Sequence, residues 1–358
     1  MLCVWGVLFA AVASTPPLTS AFVGPAVISA AGVRRPAVAT LFDPPAATGE
    51  LSDAPAATEE WELQLFSPAK INLFLRILRK RPDGFHDLAS LFQTVGFGDQ
   101  LYFKALDGAK EDDFLCSMPG VPVDASNLVI RALNLFREKT GSPQYFKVFL
   151  DKRIPAQAGL GGGSGDAATA LFAANELAGC PASSEDLVLW SAELGSDITF
   201  FLSRGTCYCT GRGEVLHPQQ PMEPARLWLV KPPQGLSTPA VFKKLNYKEL
   251  SDADPEELLR QFVEEGLDGA TYINDLEPPA FRVMPALLKM KEELQAMGFK
   301  QVLMSGSGST IFCLGDPSKA DPAWPQSFKD KWGASIYDTV FINRPDNEHL
   351  WYKQEHPV

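Results

Sequence analysis

Apolar residues alternate with others from Trp61 to Phe66 and again from Ala69 to Leu78, which predicts a pair of strands. Arg81 to Gly84 then spell a turn. Leu88 to Val95, Gln100 to Leu106 and Tyr145 to Leu150 read as extended. Between them, the spacing of Leu128, Ile130, Leu133, Leu135 and Phe136 predicts a helix over 127–140, closed by Gly141. An alanine-rich helix is expected from Ser164, as its cap, to Leu177, ended by Gly179. A shorter helix follows over Ser184 to Leu194, then extended segments at Thr199 to Leu202 and Gly205 to Thr210.

Beyond Arg226 the expected order is strand Leu227 to Lys231, helices at Thr238 to Leu245, Pro255 to Glu265 and Pro285 to Met297, and strands Gln301 to Met304 and Thr310 to Leu314. A helix between Ala320 and Gly333 and a strand over Ile336 to Ile342 complete the set. Helices and strands mixed in this way, with antiparallel options, point to two α+β domains and not to a doubly wound sheet. The divisions fall at 61–222 and 223–345, with a leader and linker over 1–60 and a tail over 346–358.

A chain of 358 residues has room for two domains of ordinary size. A hydrophobic share of 46% against 21% charged residues is a globular balance. The net charge of -11 excludes a nucleic-acid binder, which needs a basic face. An anionic substrate must therefore be captured by a local site. The six cysteines show neither a CxxC nor a Cys/His metal spacing, and Cys207 and Cys209 fall on one face of an expected strand, so reduced buried thiols are the expectation.

The chemistry concentrates in Arg153 to Ala168. Gly159, Gly161, Gly162 and Gly163 let backbone amides approach a ligand closely, and the helix after them aims its free N–H groups at the same point. One helix dipole end contributes only ~0.3–2 kcal/mol, so a triphosphate needs several converging amides and a cation as well. No Gly-Lys-Ser/Thr follows, so this is not a Walker A loop, and the strand and acidic residue of a dinucleotide fingerprint are missing. A second Ser/Gly turn, Met304 to Thr310, fits equally a tight turn or close backbone packing beside the phosphates.

Lys70, within Pro68 to Leu73, is either an outward solvated lysine or a buried cation that needs an anionic partner. Asp197 precedes a strongly apolar segment and is either a cap or turn residue or a paired, catalytic carboxylate. A lone histidine such as His86 is ordinarily a surface or capping residue.

Together these segments resemble the galactokinase, homoserine kinase, mevalonate kinase and phosphomevalonate kinase (GHMP) superfamily. The stretch from Pro155 through Ala158, Gly159, Leu160, Gly161, Gly162, Gly163, Ser164 and Gly165 to Ala168 is close to that family's second motif. Pro68 to Leu75, Arg81 to His86 and Leu194 to Asp197 resemble, more narrowly, the branch that phosphorylates a cytidine-diphosphate-linked methylerythritol. The resemblance covers about Phe66 to Cys313. It implies an N-terminal ATP domain like ribosomal S5 domain 2 and a ferredoxin-like C-terminal domain. It implies ATP and Mg2+ as cofactors, with Pro155 and Ala158 to Gly165 at the phosphates and Ser164 on the magnesium side.

By the same resemblance, Asp197 takes the proton of the acceptor hydroxyl and Lys70 holds that carboxylate ionised. Asn72 lies near the acceptor polyol, His86 and Phe242 receive the cytosine, and Thr238 and Pro239 flank Phe242. Phe85 stands where relatives commonly carry Tyr, which keeps a stacking face and loses a phenol contact. A mevalonate or homoserine kinase would keep the loop and Asp197 but has no use for Phe85, His86 and Phe242. A non-catalytic sensor on the same fold would have no reason to keep Lys70 and Asp197. Asn274 to Glu277 falls where the family has an acidic turn and is read as structural. The implied partner is a small molecule, with no nucleic acid and no membrane, acting on a monomer or weak homodimer.

The N-terminal run Leu2 to Ala13 is too short to span a bilayer, and Thr19 to Ala21 offer the small residues of a signal-peptidase site. Residues 22–41 hold Arg34 and Arg35 and no acid, a transit-peptide composition, and Ser20 to Pro25 resemble a signal/transit junction with Phe22 after the cleavage point. Delivery to the plastid stroma is the expectation.

Overall fold

The computed structural model describes residues 60–354. The expected signal and transit segments, and the linker before Glu60, lie outside the described residues. Where two strands are expected the chain runs as one, β1 (Leu63–Lys80), and the two extended segments after the turn are likewise one strand, β2 (His86–Leu106). They pair antiparallel through the turn at Arg81 to Phe85, where Gly84 takes φ +88°. The interruption read in the sequence is a register shift between Pro68 and Ala69, where proline brings no N–H and Gly98 lies opposite. A Cβ on Gly98 would stand 2.2 Å from the Ser67 carbonyl oxygen, so only glycine lets the two backbones close there.

After β3 (Asp113–Cys116) come α1 (Leu128–Thr140), β4 (Tyr145–Asp151), α2 (Gly162–Leu177), α3 (Ser184–Leu194), the single turn α4 (Ile198–Phe201), β5 (Thr206–Thr210) and β6 (Val215–Pro218). The first sheet runs β3-β4-β2-β5-β6, with β1 along the other side of β2. The Asn127 side chain caps α1 and Gly141 closes it at φ +71°, as the sequence predicts. Two expectations change. Thr199 to Leu202 is helical, because a four-residue apolar run has no periodicity to separate strand from helix. Ser164 does not cap α2: the helix begins two residues earlier, with Gly161 left-handed at the cap position and no side-chain bond there.

The second sheet forms from β7 (Arg226–Lys231), β8 (Gln301–Met304), β9 (Ile311–Leu314) and β10 (Ser335–Val340), all antiparallel in the order β10-β7-β9-β8. Fourth, first, third, second is the strand order of a ferredoxin-like sheet. Between β7 and β8 lie α5 (Thr238–Lys243), α6 (Pro255–Glu264), α7 (Gly266–Gly269), α8 (Glu277–Val283) and α9 (Pro285–Ala296), and α10 (Trp324–Trp332) precedes β10. The expected acidic turn is used structurally. Asn274 donates to the Met304 and Gly306 carbonyls, at 2.7 and 2.8 Å, and Asp275 accepts from Arg76 at 2.9 Å and from the Ile77 N–H at 2.8 Å.

Within the segment expected as a tail, Trp351 and Tyr352 are buried in the core beside α2. Cys207, Cys209 and Cys313 are buried free thiols, but Cys116 is half-buried and Cys180 exposed, since it follows the turn that ends α2. Among the described residues no helix is long and apolar enough to cross a membrane.

Candidate active site

Strand β1 is covered on both faces, so Lys70 is buried (4% exposed) whichever way it points. Ala69, Ile71 and Leu73 enter an apolar cluster, which leaves Lys70 and Asn72 to share a polar side. The Lys70 ammonium donates to Asn72 Oδ1 at 2.8 Å, stands 3.8 Å from Asp197 Oδ2 and lies over the Phe92 ring at 4.9 Å. Burial pulls the Lys70 pKa below its ordinary value and the Asp197 charge works against that shift. Asn72 Nδ2 in turn donates to Ser90 Oγ at 2.8 Å, and Ser90 to the Phe74 carbonyl at 2.6 Å, so the amide is fixed with its oxygen toward the lysine. Asp197 heads α4 yet its side chain caps nothing, and 39% of that side chain is exposed. It is a carboxylate open to solvent on one side and held next to a buried cation.

The glycine loop borders this pair. The Lys70 N–H donates to the Leu160 carbonyl at 2.9 Å, and a Cβ on Gly161, at φ +71°, would be 3.0 Å from Lys70 Cγ and 2.8 Å from the Phe201 ring. The second Ser/Gly turn packs directly on the loop: Thr310 N–H donates to the Ala158 carbonyl at 3.0 Å and Ser305 Oγ to the Gly159 carbonyl at 2.9 Å. A Cβ on Gly159, at φ +76°, would sit 2.2 Å from the Ser305 carbonyl oxygen. Gly159→Ala is therefore expected to push the two turns apart and raise the KM for ATP at least about tenfold. Initial rates at varied ATP check it, and an unchanged KM would refute the role of that contact. Pro155 opens the loop, Gly163 is exposed, and Gly165 packs against the Pro68 carbonyl. Ser164 is half-buried in the first turn of α2.

Beneath the loop lies a group that the sequence did not reveal. Lys152 Nζ donates to Asp166 Oδ2 at 2.8 Å and to Asp99, and Asp99 also accepts from the Ile154 N–H at 2.7 Å. All three side chains are at least nine-tenths buried, and Asp166 Oδ1 has no partner. Burial first, and the Asp166 charge second, push the Asp99 carboxyl up to about 7, while the two carboxylates hold the Lys152 ammonium charged.

At the far end of β1, His86 and Phe242 come together with ring centroids 4.8 Å apart. Tyr247, which no motif in the sequence marks, accepts or donates at His86 Nε2 over 2.7 Å and stacks on it at 6.0 Å. Partial burial, then Lys80, lowers the His86 pKa. Phe85 is exposed with the Arg212 guanidinium 5.2 Å above its ring. The turn carrying Arg212 also abuts Asp197, since a Cβ on Gly213 would lie 3.5 Å from Asp197 Oδ1. Thr238 Oγ1 shares a 2.7 Å hydrogen bond with Ser307 Oγ of the second turn, and Pro239 follows it exposed in the first turn of α5.

Residues 127–205 match the GHMP kinases N terminal domain and residues 251–326 the GHMP kinases C terminal domain. The chain is 48% identical over 297 residues to a 4-diphosphocytidyl-2-C-methyl-D-erythritol kinase, chloroplastic, of Oryza sativa, covering 82% of this chain and 73% of that one. It belongs to the 4-diphosphocytidyl-2-C-methyl-D-erythritol kinase family. A relative of the same name from Protochlamydia amoebophila is 46% identical, covering 82% of this chain and 93% of its own. A crystal structure of a 4-(cytidine 5'-diphospho)-2C-methyl-D-erythritol kinase superposes with TM-score 0.66 at 31% identity, over 78% of this chain and 99% of that one. A homoserine kinase structure from Cytophaga hutchinsonii, 19% identical with TM-score 0.61 over 78% of this chain and 94% of that one, shares the fold. The chain thus has the two-domain GHMP kinase architecture, and its 4-diphosphocytidyl-2-C-methyl-D-erythritol kinase relatives include both plant and bacterial proteins.

Proposed function

We propose that Lys70 and Asp197 carry the phosphoryl transfer of this kinase: ATP-dependent phosphorylation of the 2-hydroxyl of 4-diphosphocytidyl-2-C-methyl-D-erythritol, with release of ADP, in the non-mevalonate route to isoprenoids. The observation that carries this reading is the 3.8 Å approach of Lys70 Nζ to Asp197 Oδ2 beside the glycine loop. Asp197 accepts the proton of the acceptor hydroxyl as that oxygen bonds to the terminal phosphorus and the bond to ADP breaks. The buried Lys70 cation, steered by Asn72, keeps Asp197 ionised and lowers the charge felt at the acceptor oxygen. Phosphoryl transfer asks mainly for positioning and charge neutralisation.

The backbone N–H groups of Gly161 to Gly165 and the start of α2 hold the phosphates, backed by Pro155, Ala158, Gly159 and Leu160. Magnesium takes oxygen donors, and the Ser164 hydroxyl, which has no partner within the described chain, fits it; when bound with ATP the ion neutralises phosphate charge. Cytosine binds against Phe242 with His86 on its polar edge, Tyr247 fixing the imidazole. Thr238 and Pro239 place Phe242, Phe85 adds an apolar face, and Arg212, between Phe85 and Asp197, faces the substrate's diphosphate.

One assay tests the reading. ADP release is measured with the cytidyl substrate, mevalonate and homoserine, for the wild type and Phe242→Ala. Turnover is expected with the first substrate alone. The variant should raise its KM about tenfold or more, the scale of losing one base stack, without moving the KM for ATP. Turnover of mevalonate or homoserine in its place would sink the assignment. The plant relatives are named chloroplastic, and with the acid-free, arginine-bearing stretch over 22–41 this leads us to infer a plastid location.

A further inference from the structure

At the end of α2 remote from the phosphate loop, Glu176, Cys180 and His349 bring a carboxylate oxygen, a thiol sulfur and an imidazole nitrogen within 4.8 Å of one another. Two separations are already those of a coordination polyhedron. Cys180 Sγ is 3.4 Å and His349 Nδ1 3.6 Å from Glu176 Oε1. Bonds of about 2.0–2.3 Å in a tetrahedral zinc site put neighbouring donor atoms about 3.4 Å apart. Glu348 lies 3.9 Å from Nε2, the opposite nitrogen of that ring, so the three donors leave a fourth position for water, and the group lines a cavity of about 420 Å³ with room for an ion and that water.

Both backbones that carry the donors are braced. The buried Asn175 side chain grips Ala182 by both its N–H and its carbonyl, at 3.0 Å each, and the Cys180 N–H donates to the Asn175 carbonyl at 2.7 Å. On the other side the buried Arg344 guanidinium donates to the carbonyls of Glu348 and Leu350, at 2.6 and 2.8 Å, and Trp351 stacks on Phe172 of α2. Donor side chains set on two segments held by buried polar groups are what a metal site requires of its surroundings. No linear spacing announces it, because 169 positions separate Cys180 from His349 in the chain.

We propose that Glu176, Cys180 and His349, with water in the fourth position, form a site for a borderline-soft divalent cation of the zinc class, which ties the C-terminal segment to α2. Sulfur and imidazole donors select such an ion over magnesium. On binding, the thiol proton passes to solvent and sulfur bonds the metal as thiolate. The site stands a whole 16-residue helix, about 24 Å, from the phosphate loop, so it takes no part in the transfer.

The test is cobalt titration of the purified, metal-stripped full chain, with catalytic activity and circular dichroism as controls. One equivalent is expected to bind with a sulfur-to-cobalt charge-transfer band and the visible bands of a tetrahedral site. Zinc should displace the cobalt and millimolar magnesium should not. Cys180→Ser should abolish the charge-transfer band and His349→Gln should weaken binding at least about tenfold, both with turnover unchanged. Cys116→Ser should leave the spectrum intact. Absence of the band, or its persistence in Cys180→Ser, overturns the proposal, as does wild-type affinity in His349→Gln.

Discussion

Asp197→Asn is expected to lower kcat for the cytidyl substrate by about 10²- to 10⁴-fold, the contribution of a positioned general base. The substitution keeps the side chain's shape, and Asp197 caps no helix and is more than a third exposed, so the local backbone does not depend on its charge. The amide cannot take the hydroxyl proton, and Lys70 loses the carboxylate 3.8 Å away that works against the effect of its burial. The glycine loop proposed to hold ATP is untouched, so the KM for ATP should stay within about twofold. Steady-state ADP release over varied ATP and substrate checks both parameters. A variant within threefold of the wild-type kcat would remove Asp197 from the chemistry and leave the hydroxyl proton to solvent.

Lys152→Met should destabilise the protein by about 3–5 kcal/mol, the scale for removing one partner from a buried ion group. It leaves Asp99 and Asp166 facing each other in the interior without a cation, and Asp166 Oδ1 already has no partner. Urea unfolding monitored by tryptophan fluorescence reads the change. The same group sets a pH dependence. The Asp99 carboxyl, near 3.9 in an unfolded chain, is raised to about 7 in the fold. The folded state therefore keeps a proton that the unfolded state has released. Stability should fall as pH rises from about 4 to about 7 and level off above that. Asp99→Asn should flatten that limb, and a wild-type profile that rises through this window would contradict the assignment. Gly162 covers this group closely, since a Cβ there would be 2.8 Å from Lys152 Nζ. Loosening it should thus weaken ATP binding as well.

Local signals in the sequence carried far. The Asn127 cap, the left-handed Gly141 and the apolar spacing of α1 all agree, so that helix stands where the pattern puts it. The cradle of glycines ahead of α2 was legible because glycine alone tolerates positive φ freely and brings no Cβ where a neighbouring backbone, as at Gly159, leaves no room for one. What failed was local evidence without a period, as in α4, or with a helix start that the chain meets through Gly161 and not through a serine side chain. The direction of Lys70 was undecidable from alternation, because alternation reports one wet face and β1 has none. Tyr247 at His86 and Lys152 between Asp99 and Asp166 are pairings across long stretches of chain, set by how sheets and loops stack. No window along the sequence contains them.

The register shift between Pro68 and Ala69 has one more consequence, for the lengths this chain can tolerate. The shift sets the phase in which Lys70 and Asn72 share the side of Asp197 while Ala69 and Ile71 enter the apolar cluster. An insertion or deletion of a single residue between Ala69 and Asn72 would invert that phase and drive an ammonium into a cluster of leucine and phenylalanine. A substitution there alters one side chain, whereas a change in the count of residues alters the facing of all that follow. The turn at Arg81 to Phe85 gives little slack either, because an added residue there would shift His86 against Phe242, 4.8 Å away.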